Sequence, residues 1–268
     1  MKIVSWNVNG LRSINGQNPK RKYGKVFRKN KLFEYLDKEQ PDIMCIQETK
    51  SAPEQIKEEL LHPPGYTGYS SWSRLKKGYS GVVTYTKEKP KTVVTNVGVD
   101  EYDVEGRLIQ TDFDDFSVFN IYFPNGTSGQ HRVDYKLRFY DDVFRFIEEH
   151  RMKQPNILVT GDYNTAHHPI DLARPKDNED TSGFLPEERE KMDEVEQMGY
   201  VDTFRQFTKD GGHYTWWSNR GRARDNNVGW RIDYHRVTED LNSKVKNSYH
   251  QPDVTGSDHC PIVIELDI

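Results

Sequence analysis

Residues 156–167 read NILVTGDYNTAH. Ile157 to Thr160 is a short apolar, β-branched run, apolar enough for burial on both faces of a sheet, and it ends at Gly161 and Asp162. The same habit recurs on both sides of it: IVSW at 3–6, DIMCIQ at 42–47, GVVTYT at 81–86, LIQTDF at 108–113, SVFNIYF at 117–123, RIDYHRV at 231–237 and CPIVIEL at 260–266. Between these runs the apolar period becomes helical. It predicts helices from about Arg28 to Glu39, from Ala52–Pro53 to Leu61, from about Val133 to Glu149 and from Pro186 to about Met198, two of them opened by proline. In the long one, Leu137, Tyr140, Phe144 and Ile147 form a stripe that reads as core. Strands and helices alternate through both halves without a Gly/Ser/Pro linker, which predicts one α/β domain over residues 1–268, built as a four-layer sandwich. The long loops at 15–25, 124–132, 171–185 and 209–229 are where function is expected.

Composition narrows the class. Hydrophobic residues make up 34% of the 268, a thin core, yet aromatics reach 12% and the net charge of −4 is the small difference between 38 basic and 42 acidic residues. Disorder is excluded on that balance. Cys45 and Cys260 sit in apolar surroundings with no CxxC spacing and read as reduced core thiols. No apolar run is long enough to span a membrane, and Met1 leads straight into a strand pattern, so a cytoplasmic monomer is expected. Charge is clustered rather than uniform. Lys20, Arg21, Lys22, Lys25, Arg28, Lys29 and Lys31 form a basic block, and Arg220, Arg222, Arg224, Arg231 and Arg236 interleave with Trp216, Trp217, Trp230 and Tyr234, a mixture suited to phosphate and base contact together.

Polar residues stand at the ends of the strand runs: Asn7, Glu48, Asp162 with Asn164, Asp233, and the pair Asp258–His259. Strand ends of an α/β sheet face one crevice, and hard oxygen donors converging there suit Mg²⁺ and phosphoryl chemistry. A neutral imidazole needs a second group to fix its orientation, and Asp233 is the candidate orienter of His259.

Eleven segments together carry a resemblance: SWNVNGLR (5–12), PDIMCIQETK (41–50), KGYSGV (77–82), EGR (105–107), NIYFPNG (120–126), GDYNTAH (161–167), SGFLPEER (182–189), GYVDTFR (199–205), YTWWS (214–218), NVGWRIDY (227–234) and GSDHCPI (256–262). In this order, from Lys2 to about Leu266, they resemble the exonuclease III class of abasic-site endonucleases, in the endonuclease/exonuclease/phosphatase superfamily. The resemblance implies an α/β/β/α sandwich of two packed mixed sheets of the DNase I-like kind. It implies Mg²⁺-dependent hydrolysis, with Mn²⁺ substituting, of the phosphodiester 5′ of an abasic site in duplex DNA, leaving a 3′-hydroxyl. Trimming of 3′ ends, removal of 3′ blocks and incision beside damaged bases would use the same site. By resemblance, Glu48 is the principal metal carboxylate with Asn7 and Asp258 beside it. Asp162 orients or deprotonates the attacking water, and Asn164 contacts the phosphate or transition state. His259, held by Asp233, meets the scissile phosphate, as base or as clamp. Tyr122 and Asn125 match phosphate contacts, and Trp216, Trp230 and Ile232 match the walls of a pocket for a baseless sugar. Lys77 and Tyr79, with Arg220, Arg222 and Arg224, are the further expected DNA contacts.

This chain also departs from the family pattern. Asn9 stands where some members have an aspartate, which leaves the number of metal ions open; Arg220–Gly221 replace an apolar wedge, and GTSGQH follows Asn125 where some relatives carry a basic side chain. Two other classes were weighed: a lipid-linked or inositol phosphate substrate, opposed by the aromatic segments, and a DNA-binding module with a dead site, opposed by the complete acid set.

Overall fold

The apolar runs become the inner strands of two mixed six-stranded sheets. A computed structural model describes residues 1–17, 20–22, 25–27 and 30–268. The side chains of the basic block at 20–29, and the predicted helix start at Arg28, lie outside them. In sheet one the order is Val245–His250, Ile262–Leu266, Lys2–Asn7, Ile43–Gln47, Val82–Thr86 and Thr67–Ser71; in sheet two it is Tyr200–Asp202, Asp233–Thr238, Ile157–Asp162, Ser117–Tyr122, Leu108–Asp112 and Thr92–Val94. Each sheet has one central parallel pair, Lys2–Asn7 with Ile43–Gln47 and Ile157–Asp162 with Ser117–Tyr122, flanked by antiparallel partners.

Alternation along each inner strand makes the layers. One face of sheet one packs Val4, Trp6, Met44 and Ile46 against Leu32 and Leu36 of the helix Lys31–Glu39. One face of sheet two packs Phe119, Ile121, Ile157 and Val159 against Phe139, Tyr140, Val143 and Ile147 of the helix Gln130–Arg151, with Met192 and Val195 of Pro186–Gln197 beside them. The inner faces meet in a third cluster containing Ile3, Ile43, Cys45, Val118, Leu158, Val237 and Ile264. The result is the expected α/β/β/α sandwich. Both cysteines are free and buried, as read from their surroundings. Among the described residues no helix is long and apolar enough to cross a membrane.

Several boundaries move for local reasons. The first long helix begins at Lys31 because Asn30 caps it, accepting a hydrogen bond from the Phe33 amide. The helix expected from 53 to 61 is two short pieces, Pro53–Gln55 and Glu58–Leu61, since Ile56 and Lys57 between them are extended. The helix predicted from Val133 starts at Gln130, shortening the 124–132 loop, and Leu137 lies at the edge of its apolar stripe, only half-buried. The strand predicted from Arg231 starts at Asp233, because the Arg231 amide donates instead to the Asp171 carbonyl.

On the inner face of sheet two, chemistry changes in two-residue steps. Val118, Leu158 and Val237 share one row; Asn120, Thr160 and His235 share the next; Tyr122, Asp162 and Asp233 share the last. Sheet one grades the same way, from Ile3 through Ser5 to Asn7 and from Ile43 through Cys45 to Gln47. Apolar core therefore passes into a buried polar row and then into the crevice. Gly161 is required at this end: a Cβ there would lie 1.9 Å from the Ile121 carbonyl oxygen of the next strand.

Candidate active site

The crevice lies where these polar rows end. Glu48, Asn9, Lys50 and Asn164 follow the strands in the left-handed region, with φ of 54°, 46°, 48° and 51°. Such conformations are costly for residues with a Cβ, and here they cluster in the turns that swing functional side chains into the opening.

Asp162 is almost fully buried, in register with Asp233 on one side and Tyr122 on the other. Its Oδ1 accepts the Asn164 amide at 2.8 Å and its Oδ2 accepts the Asn7 Nδ2 at 2.8 Å. Burial, with Asp233 and Glu48 nearby, raises its carboxyl above the usual carboxylate range, and the His259 charge pulls it back down. His259 is shifted upward as well. Burial alone would lower it, but Asp233, Asp162 and Asp258 hold it up to about 10, and its Nδ1 lies 2.9 Å from Asp233 Oδ2. The two groups are tightly coupled, with His259 Nε2 at 4.0 Å from Asp162 Oδ2. We read the imidazole as the cation of the pair, since three carboxylates surround it.

Asp233 is itself positioned. Thr215 donates its hydroxyl to Asp233 Oδ2 at 2.6 Å and accepts the Asp233 and Ile232 amides, both at 3.1 Å. Thr215 sat inside the YTWWS segment, but nothing in the sequence tied it to Asp233. The Cys260 amide donates to the Thr215 carbonyl, so the same turn seats the histidine segment.

Glu48 is held from two sides. Asn7 Nδ2 donates to its Oε1 at 3.0 Å, and the Lys50 ammonium lies 2.5 Å from its Oε2 and 2.6 Å from Asn9 Oδ1. Despite burial, Lys50 and Asn7 keep its carboxyl below the usual range. Burial beside Glu48 and Asp162 pushes the Tyr122 phenol far above its own.

A metal fits this donor set, because hard oxygen atoms and an excess of carboxylates face a small buried space. Carboxylate oxygens of Glu48 and Asp162 lie within 4.8 Å of one another and of a nitrogen of His259, which as a cation donates and does not ligate. The other two members of the trio named by resemblance, Asn7 and Asp258, each have hydrogen-bond partners in the crevice. Asn7 is fully buried, its Oδ1 accepts the Asn9 amide at 3.0 Å, and its amide nitrogen ties Glu48 to Asp162. Asp258 lines the same cavity as Glu48 and receives Asn9 Nδ2 at 2.9 Å and Trp216 Nε1 at 3.3 Å.

These groups open into a cavity of about 480 Å³ lined by Glu48, Tyr122, Asn125, Asn164 and His259 together with Trp216, Trp230 and Ile232, Trp216 being bridge-paired to His259. The two tryptophans pair across a two-stranded ribbon, rings edge to face with centroids 6.4 Å apart. Tyr79, Ser80, Thr127, Ser182 and Gly183 are also in the lining. Of these only Tyr79 was expected; its hydroxyl accepts from Arg107 at 2.7 Å and Arg132 at 3.1 Å.

The basic contacts are not equivalent. Arg220 and Arg222 are exposed, with Arg222 paired to Asp225 at 2.9 Å. Lys77 is exposed, 3.5 Å from Glu54, and does not line the cavity. Arg224, expected with them as a DNA contact, is engaged within the protein. Its guanidinium donates to the carbonyls of Ser257, Pro252 and Val254 and lies over the Trp217 ring at 4.6 Å, so it braces the loop.

This arrangement, two sheets meeting at an acidic crevice with a charged histidine, is that of a metal-assisted phosphoester hydrolase. The endonuclease/exonuclease/phosphatase family pattern matches residues 4–259, and the chain belongs to that family. Over 269 residues it is 40% identical to an exodeoxyribonuclease of Bacillus subtilis (strain 168), covering 100% of both chains. It is 39% identical over 272 residues to a DNA-(apurinic or apyrimidinic site) endonuclease of Dictyostelium discoideum, covering 100% of this chain and 71% of that one. An AP endonuclease structure from Archaeoglobus fulgidus matches with a TM-score of 0.85 and 26% identity over 100% of both chains. Within the family the chain stands with these nucleases.

Proposed function

We propose that this protein, acting as a single catalytic unit and as a monomer, hydrolyses the phosphodiester 5′ of an abasic site in duplex DNA to leave a 3′-hydroxyl. The same centre trims and cleans 3′ ends. One observation carries the reading: Trp216, Trp230 and Ile232 line the same cavity as Glu48, Tyr122, Asn164 and His259. A baseless nucleotide is cheaper to extrude than a paired one, and a wall without base-reading donors selects it by shape.

In this mechanism Tyr122, Asn125, Asn164 and the His259 imidazolium hold the scissile phosphate. The charged histidine serves as an electrostatic clamp, its Nδ1 proton fixed on Asp233. Asp162 orients a water for in-line attack and takes its proton; the new bond is water oxygen to phosphorus, and the bond to the 3′ oxygen breaks. Glu48, with Asp258 and Asn7 beside it, would hold Mg²⁺ or Mn²⁺, which when bound neutralises phosphate charge and stabilises the leaving oxygen. Arg220 and Arg222 provide exposed charge for the backbone, so affinity should fall steeply with salt.

The test is an end-labelled duplex with one reduced abasic analogue, incubated with Mg²⁺ or with EDTA. The reduced sugar blocks β-elimination, so cleavage reports hydrolysis. Incision 5′ of the analogue, with Mg²⁺ only, is expected. No incision by folded protein with either Mg²⁺ or Mn²⁺ would move the assignment to other phosphoesters of the family.

A second prediction concerns Glu48. Glu48→Gln removes the charge facing Lys50, and the Mg²⁺ concentration for half-maximal rate should rise at least about tenfold, the scale of a lost metal-site interaction. A titration that saturates where the wild type does would show that Glu48 is not a ligand.

A further inference from the structure

The crevice is divided between the sheets. Sheet one brings Asn7 and Glu48, and sheet two brings Tyr122, Asp162 and Asp233. Their relative placement therefore depends on how the two sheets are offset, and apolar packing between sheets does not by itself fix an offset to a fraction of an ångström.

Just inside the crevice, two buried amides join the sheets. Gln47 Nε2 donates to Asn120 Oδ1 at 2.7 Å and to Ser5 Oγ at 2.9 Å. Asn120 Nδ2 in turn donates to the Val83 carbonyl at 2.9 Å and lies 3.1 Å from Thr84 Oγ1. Gln47, Asn120 and Thr84 are all at 0% exposure. Asn120 Nδ2 also lies 3.4 Å from the Ile46 carbonyl, so the amide nitrogen is committed to acceptors of sheet one while its oxygen accepts from Gln47 of the same sheet. Gln47 precedes Glu48 directly, and Asn120 stands two residues before Tyr122 and in register with Thr160, two residues before Asp162.

The pair is not a simple stability device. Gln47 Oε1 is buried without a hydrogen-bond partner, a cost that an apolar side chain of similar volume would avoid. We propose that the Gln47–Asn120 bridge is a positioning element that sets the offset between the two half-sites, acting on the reaction through Glu48, Tyr122 and Asp162 without touching substrate. The proposal rests on the hydrolytic reading of the crevice given above.

Asn120→Ser and Gln47→Leu each break the bridge, and the double swap Gln47→Asn with Asn120→Gln restores its length. Thr111→Val, which removes a fully buried hydroxyl elsewhere in sheet two, is the control. On the abasic duplex, kcat should fall about 10- to 100-fold in the two single variants, the scale of a sub-ångström to ångström misplacement. Duplex affinity should be unchanged, the double swap should recover most of the loss over Asn120→Gln alone, and the control should keep wild-type kcat. Single variants within twofold of wild type would overturn the proposal. So would a loss matching the fraction unfolded at the assay temperature. Should the wild type not cleave, the hydrolytic reading fails first, and the bridge is judged by NMR: the Glu48 and Asp162 amide shifts should move together in Asn120→Ser and not in Thr111→Val. Unmoved shifts would overturn it.

Discussion

Asp162→Asn removes hydrolysis while leaving the fold and the grip on duplex DNA in place. The substitution is isosteric, and the asparagine oxygen can still accept the Asn164 amide that Oδ1 accepts now. Its other atom becomes a donor facing the Asn7 Nδ2, which at present donates to Asp162 Oδ2 at 2.8 Å. More important, the buried negative charge 4.0 Å from His259 disappears, and with it the only group in the Tyr122–Asp162–Asp233 row placed to take a proton from water. Positioned proton transfer contributes about 10²- to 10⁴-fold, so kcat should fall by about 10³. The Kd for an abasic duplex should stay within a few-fold, since this group serves the transition state more than the ground state. Single-turnover rates beside binding curves decide it; a variant turning over within threefold of wild type would remove Asp162 from the mechanism.

Asp171→Ala produces the largest loss of stability. Asp171 is wholly buried, and its carboxylate receives Arg231 Nε at 2.8 Å, Arg231 Nη2 at 3.1 Å, Arg205 Nη2 at 2.5 Å and the His168 amide at 3.0 Å. Arg231, also wholly buried, would keep only Asp202, at 2.7 Å. Removing one partner of a buried pair strands the other charge and costs about 3–5 kcal/mol. Urea unfolding should show that loss, and a change below about 1 kcal/mol would mean that Asp202 suffices alone. The pH dependence has a definite sign. Arg231 and Arg205 outweigh burial and hold the Asp171 carboxyl well below the usual range. Its contribution is thus complete above the unfolded value of about 4 and is lost as pH falls toward the lower folded value. The wild type should therefore lose stability below about pH 4 more steeply than the variant.

The inner strands were legible in the sequence because burial on both faces makes a continuous apolar run, as in Ile157–Val159 and Ile43–Ile46. Thr67–Ser71 and Val245–His250 were not, since edge strands are half-exposed and TGYSS and VKNSYH carry no period. The crevice was legible where a polar residue ends such a run. What escaped was everything defined by direction. Lys50 and Thr215 matter because of where their polar atoms point, and the bracing part of Arg224 escaped because its charge is visible in sequence while its three carbonyl partners are not.

The strand Lys2–Asn7 lies between Ile43–Gln47 and Ile262–Leu266, and pairs Ile3 with Ile264. Contacts of such sequence separation form late and slowly. Glu48, Asp162 and His259 come in that order along the chain, so translation supplies His259 and the strand that anchors its turn after the other two. A growing chain on the ribosome consequently carries no assembled hydrolytic centre until Ile262–Leu266 has been made and has paired with Lys2–Asn7.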